Sequence, residues 1–292
     1  MESLLSQSAG TLLLRPYVFL FLLVYLVGCS LHLGMKRALL FCAVGYFIAW
    51  TSEYSSIHNG IPYGDYYYLD ATRGREIWVL GVPFMDSLSY VFLAYASYCM
   101  ALAALSPVML AGRTVYLLET RRIRCSSSAR ILGALFFVYL DVIIDPVALR
   151  GDRWFLGQIY GYPGGGVYFG VPLSNFIGWF VVGFLMLYAL QTIDKVLYRR
   201  GIRDYAGYRY PWRYLAGPAL YAGVVLFNIF ITFLIGEHTL GWVDVFIVLF
   251  PGTLLYFMIK IKLSLADIPA ALRKHLDDFP EATLSRILYE RA

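Results

Sequence analysis

The sequence predicts an all-α, polytopic integral membrane protein with about seven transmembrane helices. Three observations lead there. Of 292 residues, 60% are hydrophobic and only 15% charged, with a mean hydropathy of +0.64, whereas a soluble domain carries about 25% charge. Several apolar runs approach the roughly 20 residues that cross about 30 Å of hydrocarbon. The Lys and Arg residues gather at alternate ends of those runs, as membrane topology requires. Long apolar runs alternating with turn-rich polar loops also argue against a membrane β-barrel.

In chain order the runs are Pro16–Leu33, Ala38–Ser52, Leu80–Leu105, Ile131–Ile144, Val171–Ile193, Tyr214–Ile235 and Val243–Ile259. The first has no convincing small-residue cleavage site and further spans follow it, so it reads as a retained helix rather than a signal peptide. Residues 1–262 are expected to form the transmembrane domain. Residues 263–292, with their charges, Pro269 and Pro280, read as a cytoplasmic tail, helix or coil at the surface. Cys29, Cys42, Cys99 and Cys125 are scattered without a C-x-x-C pair and read as free thiols, three of them in apolar runs.

Orientation follows from the basic residues. Nineteen Lys and Arg fall on the side holding Lys36 and Arg37, the 113–130 loop, the 195–213 loop and the tail; five fall on the other. The first side is then cytoplasmic, with the N-terminus outside, in the cell inner membrane. The net charge of +5 comes from these helix-end clusters and is no nucleic-acid signal.

This topology sorts the polar residues. Glu53, His58, Asp65, Asp86, Asp145, Asp152, Asn175, Glu237 and Asp244 fall at outer helix ends or in outer loops. The second and fourth runs hold only about 15 residues, or about 22 Å of helix, too short for the hydrocarbon core. Continued as helix, they carry Glu53 and Asp145 to the outer interface. With Arg130 at the inner surface, Asp141 lies about 16 Å deep, near the midplane. A carboxylate there is costly unless paired or protonated. A protonated carboxyl in a dry aromatic site is a competent general acid.

Three stretches carry the chemistry. The stretch from Phe136 to Trp179 places Asp141 and Asp145 four apart before Pro146, which is expected to close the helix. A loop rich in Gly, Tyr and Trp follows, and the next helix sets Asn175 and Trp179 four apart. Residues at i and i+4 share a helix face. The alternative is an inert pair neutralised by Arg150 or Arg153. The second stretch, Glu53 to Tyr68, crowds Glu53, His58, Asp65 and five tyrosines around turn formers; an interfacial aromatic belt also fits it. The third, Gly81-Val82-Pro83-Phe84 with Asp86, opens the third run, where an acid also suits a helix N-terminus.

Absences prune the options. His32 and His275 fall on the cytoplasmic side, leaving His58 and His238, too few for a three-His zinc site or a di-iron site, so no metal is expected. No D-D-x-x-D pair is present to hold magnesium and a diphosphate. The last run has no internal lysine for a retinal Schiff base, and no G-x-S-x-G elbow occurs. The glycines at 164–166 lack the residues of a P-loop. What remains is an acid-rich, aromatic-rich pocket opening within the membrane, suited to a lipid substrate and to proton transfer. An acid there can protonate an isolated alkene, and aromatic faces stabilise the cation that results.

The residues also resemble a known family. The run E-x-x-x-x-H-N-G-I-P-Y-G-D-Y-Y-Y from Glu53, G-V-P-F from Gly81, L-D-V-I-I-D-P-V-A from Leu140 and Y-F-G-V-P-L-S-N-F-x-G-W from Tyr168 are similar to the carotenoid biosynthesis membrane-protein family. It includes carotenoid 1,2-hydratases of the γ-carotene 1'-hydroxylase and bisanhydrobacterioruberin hydratase type. The resemblance runs from about Tyr46 to about Phe257. It implies a cofactor-independent hydratase that adds water across the terminal double bond of an acyclic carotenoid, giving a tertiary alcohol.

Site roles rest on the residues themselves. Asp141 or Asp145 is expected to donate the proton, with Tyr67, Trp154, Tyr168 and Trp179 lining the cation. Glu53, with Asp65 or Asn175, positions the water, and Asp86 adds to the substrate site; the Asp pair and Glu53 can exchange roles. Expected partners are a lipophilic carotenoid and the bilayer, with other membrane enzymes of the pathway as further candidates and no nucleic acid. The readings from other classes are a transporter or lipid-binding protein using the same carboxylates, or a hydratase of shorter isoprenoids. Seven unequal spans show no inverted repeat of the kind many transporters carry.

Overall fold

The computed structural model describes residues 2–111, 114–203, 210–265 and 268–280. Its helices are α1 (Glu2–Leu14), α2 (Pro16–His32), α3 (Met35–Asn59), α4 (Phe84–Leu105), the single turn α5 (Arg121–Arg124), α6 (Ser127–Ala148), α7 (Leu173–Arg199), α8 (Ala216–Leu234), α9 (His238–Leu265) and α10 (Ile268–Asp278). Seven of them, α2, α3, α4 and α6 to α9, stand where the seven apolar runs were read.

By length and apolarity alone, five helices among the described residues qualify as spans: α4, α6, α7, α9, and α8 with its preceding turn. The pair α1–α2, bent by 83° before Pro16, makes a sixth. The helix α3 holds Lys36, Arg37 and Glu53 in its length, which keeps it below that measure, yet it packs inside the bundle. Integral membrane architecture follows from these helices.

Both short runs continue as helix, as the thickness argument required. The helix α3 reaches Asn59 and ends on Gly60 in the left-handed region, φ 73°. The helix α6 starts on the Ser126 hydroxyl, which accepts from the Ala129 N–H. It does not stop at Pro146 but runs through to Ala148. A proline in a final turn removes only one backbone bond, so the turn survives.

The helix α4 is the centre of the bundle, packed against α2, α3, α6 and α8. Small residues allow close approach elsewhere. A Cβ on Gly183 of α7 would lie 2.6 Å from the Phe137 ring of α6, the small-residue contact that membrane helices favour. The helix α9 sits at the rim, with only 6% of its apolar stretch buried.

Three short antiparallel pairs tie the loops. They are β1 (Tyr67–Tyr68) with β6 (Tyr160–Gly161), β2 (Trp78–Val79) with β3 (Val82–Pro83), and β4 (Val108–Ala111) with β5 (Thr114–Leu117). The β1–β6 ribbon and the β2–β3 pair lie at the end of the bundle that carries Glu53 and Asp145. At the opposite end α10 docks on the chain after β5: its buried His275 bonds through Nδ1 to the Glu119 carbonyl, 2.7 Å. The Glu119 carboxyl is buried against His32 and Arg124. Burial opposes its charge, yet the Arg124 guanidinium and His32 hold it well below the ordinary carboxyl range.

Candidate functional site

Two pairs of carboxyl groups gather around one small cavity at the Glu53–Asp145 end of the bundle, three of the four lining it. The first pair comes from α6. Four-residue spacing puts Asp141 and Asp145 on one face, and both are buried. Asn175, on the first turn of α7, bridges them: its amide nitrogen donates to Asp141 Oδ2 at 2.7 Å and to Asp145 Oδ2 at 3.0 Å. Asp145 has two further donors, Tyr160 at Oδ1 and Tyr162 at Oδ2, the latter at 2.7 Å. Asp141 Oδ1 has no partner among the described residues.

The second pair comes from α3 and α4. The Ser87 hydroxyl donates to Glu53 Oε2, and the Tyr68 phenol donates to Asp86 Oδ2 at 2.7 Å. Glu53 is fully enclosed, 2% exposed. A donor placed on each of these carboxyl groups is the pattern of a built polar site, because an unsatisfied buried charge is strongly disfavoured.

Between the pairs lies a cavity of about 50 Å³, room for one or two water molecules. Glu53, Asp86, Asp145 and Asn175 line it; Asp141 stands one layer behind, reached through Asn175. Aromatic rings form the rest of the wall. Tyr90 stacks on Trp179 with centroids 4.6 Å apart, and Phe137 backs the indole at 4.6 Å. Tyr66 meets Tyr68 edge-on at 5.3 Å and Tyr160 at 6.2 Å. Among the described residues no Lys, Arg or His lines the cavity. Burial first, and the Asp145 carboxylate second, push the Tyr160 and Tyr162 phenols well above their ordinary range, so both stay protonated as donors.

The basic residues nearby are engaged elsewhere. Arg150 Nε pairs with Glu237 at 3.3 Å, and Arg153 also binds Glu237. Arg150 Nη1 donates to the Pro146 carbonyl at 2.7 Å. Neither arginine is bonded to the Asp141–Asp145 pair among the described contacts.

The sequence-predicted residues divide cleanly. The fold brings together Glu53, Asp86, Asp141, Asp145, Asn175 and Trp179. It sets four apart. Asp65 is exposed and lies over the Gly60 turn. Tyr67 is half exposed and lays its ring on Gly161. Trp154 donates to the Val147 carbonyl at 3.2 Å and packs with Tyr17 and Phe155. Tyr168 packs on Phe169 and Phe176.

Sequence reasoning passed over Tyr63, Tyr66, Tyr68, Tyr90, Tyr160, Tyr162 and Ser87. One signal was available: in extended chain, alternate residues share a face. Tyr66 and Tyr68 therefore point together while Tyr67 points away, and Tyr160 and Tyr162 repeat the pattern. The ribbon completes it, since Tyr68 and Tyr160 are cross-strand partners. One opposed pair of tyrosines thus serves both carboxyl groups, Tyr68 at Asp86 and Tyr160 at Asp145.

Comparison with known proteins adds one finding. The family model described as "Carotenoid biosynthesis protein" matches residues 13–249, which include every residue of the site. No curated protein and no solved structure matches the chain. With most of its length covered, the chain belongs to the carotenoid biosynthesis protein family and is a membrane protein of that pathway.

Proposed function

We propose that this protein is a carotenoid hydratase. It adds water across the terminal carbon–carbon double bond of an acyclic carotenoid end and yields a tertiary alcohol. The observation that carries this reading is the opposition of acids: Glu53 and Asp86 face Asp145, backed by Asp141 through Asn175, across a water-sized, aromatic-walled cavity that no basic side chain among the described residues lines. An acid on one side and a held water on the other are what alkene hydration needs.

The Asp141–Asp145 pair supplies the proton. Two carboxyl groups bridged by one amide in a dry site cannot both hold full charge without repulsion, so the pair retains a proton. That proton forms a C–H bond at the less substituted alkene carbon, and the tertiary carbon becomes cationic. The faces of Tyr66, Tyr90 and Trp179 stabilise the cation. Water held by Glu53 and Asp86 forms the C–O bond and passes its proton to that second pair. The sum is one water added. The two pairs can exchange roles, because both border the same cavity.

The cavity is too small for an isoprenoid end group as it stands, so the substrate is admitted when its Tyr-rich roof, the β1–β6 ribbon, moves. The Lys and Arg count supports an inner-membrane orientation with the site at the outer face. The substrate then comes from the bilayer, where other membrane enzymes of the pathway produce it.

The test is expression in a bacterial host making lycopene or γ-carotene, with mass spectrometry of extracted pigments. A product heavier by one water is expected, and Asp141→Asn and Asp145→Asn should each abolish it while the protein remains in the membrane. Normal turnover in both variants would overturn the assignment. An unchanged pigment profile with wild-type protein in the membrane would overturn the carotenoid substrate.

A further inference from the structure

A second cavity lies outside the acid site. It has a volume of about 230 Å³ and is walled by Phe136 and Tyr139 of α6, Tyr221 of α8, and Val248, Pro251 and Leu255 of α9. It is not an extension of the acid site. Tyr139 and Asp141 are two residues apart, about 200° round the helix, so the cavity opens on the other face of α6.

Its walls offer hydrocarbon and nothing polar. The Tyr221 phenol donates to the Phe136 carbonyl at 2.9 Å. The Tyr139 phenol donates to the Ile247 carbonyl, which Pro251 leaves without its usual N–H four residues on. Gly252 adds room, since a Cβ there would meet nothing within 4 Å.

A buried acid stands just beyond this lining. Asp244, Val248, Pro251 and Leu255 follow the spacing of a single helix face, so Asp244 stands one turn above the cavity wall. Its neighbours on α9 are largely exposed, Phe246 to 68%, yet Asp244 is 0% exposed. Neither of its carboxyl oxygens has a hydrogen-bond partner among the described residues. Such a group calls for a ligand or water that completes it. The Tyr168 phenol oxygen is a second buried polar atom with no hydrogen-bond partner among the described residues; burial first, and the Asp244 carboxyl second, push it up.

We infer that the α6–α8–α9 cavity with Asp244 and Tyr168 is a second binding site, and that it takes an isoprenoid alcohol. The chain fills the apolar cavity. The hydroxyl donates to Asp244 and accepts from Tyr168. A buried acid repels phosphate and carboxylate headgroups, which disfavours ordinary phospholipids and fatty acids. The ligand class rests on the proposed hydration in one respect: its product is such an alcohol, and this site holds the end group once hydrated.

The experiment uses the full chain in phosphatidylcholine nanodiscs with a diazirine-bearing analogue of geranylgeraniol, mapping the photolabel by peptide mass spectrometry. Label is expected on α8 and α9, displaced by geranylgeraniol and not by a straight-chain alcohol of equal length. Gly252→Leu should fill the cavity and abolish labelling; open space at that Cβ and better helix propensity keep it folded. Asp244→Leu should weaken binding about tenfold, the loss of one hydrogen bond to a charged group, without lowering the melting temperature. Unchanged labelling in Gly252→Leu, or equal displacement by the straight-chain alcohol, overturns the proposal. Asp141→Asn separates the two readings, because it should lose hydration and keep labelling. Hydration with no labelling of wild-type protein sinks only the second site.

Discussion

Replacing Asn175 with Leu tests the acid pair at the amide that bridges it. The two side chains are close in size, so packing changes little. What goes is the amide that donates to Asp141 at 2.7 Å and to Asp145 at 3.0 Å. Asp145 keeps both phenols, whereas Asp141 loses the only hydrogen bond its carboxyl makes among the described residues. Hydrogen bonds to charged groups contribute about 1.5–3 kcal/mol each, so two together stand for about 3 kcal/mol or more. If half of that applies only when the pair gives up its proton, the rate falls about tenfold; if all of it does, about a hundredfold. Pigment analysis in the carotenoid-producing host reads the rate, and thermal unfolding in detergent reads the stability. Expected are a conversion reduced about ten- to a hundredfold and a lower melting temperature. Asn175→Asp, which sets a third carboxyl against Asp141 and Asp145, should be worse still. Wild-type conversion and melting in Asn175→Leu would refute the reasoning that the amide holds the pair.

Three further outcomes follow from the structure. Tyr68→Phe and Tyr160→Phe each remove one donor from a carboxyl group and should each slow conversion about tenfold, measured by pigment extraction with protein level held constant. The folded Glu119 carboxyl lies below its unfolded value, so it stabilises the fold above about pH 4 and that contribution fades as the pH falls; the melting temperature in detergent should drop through that window, and Glu119→Gln should flatten the drop. Gly183→Leu forces a side chain into a contact that a Cβ alone would make at 2.6 Å from Phe137, and should cost about 1–3 kcal/mol of stability by unfolding measurements.

The helices were legible because apolar length and charge placement are local properties. Glu53 and Asp145 were placed beyond their apolar runs by thickness alone, and α3 and α6 do continue to carry them. Asp141 and Asp145 shared a face for the same kind of reason. The loops were not legible in the same way. Trp154 and Tyr168 stand in the glycine-rich connection, where no periodicity says which side chain turns inward. Tyr67 was chosen over its neighbours, although strand alternation favours Tyr66 and Tyr68. Ser87 could not be found from local pattern, since its partner Glu53 sits on another helix. The pairing of residues 67–68 with 160–161 joins distant parts of the chain, and nothing in either stretch names the other.

That ribbon is only two residue pairs long. It cannot lift without drawing Tyr68 off Asp86 and Tyr160 off Asp145 in one motion. Opening the roof and unmasking the acids are therefore a single mechanical event. While the ribbon is shut, Asp86 and Asp145 stay bonded to phenols. On the proposed hydration, a guest that parts the ribbon would free both carboxyl groups by arriving, and the ribbon closing over the product would restore both bonds.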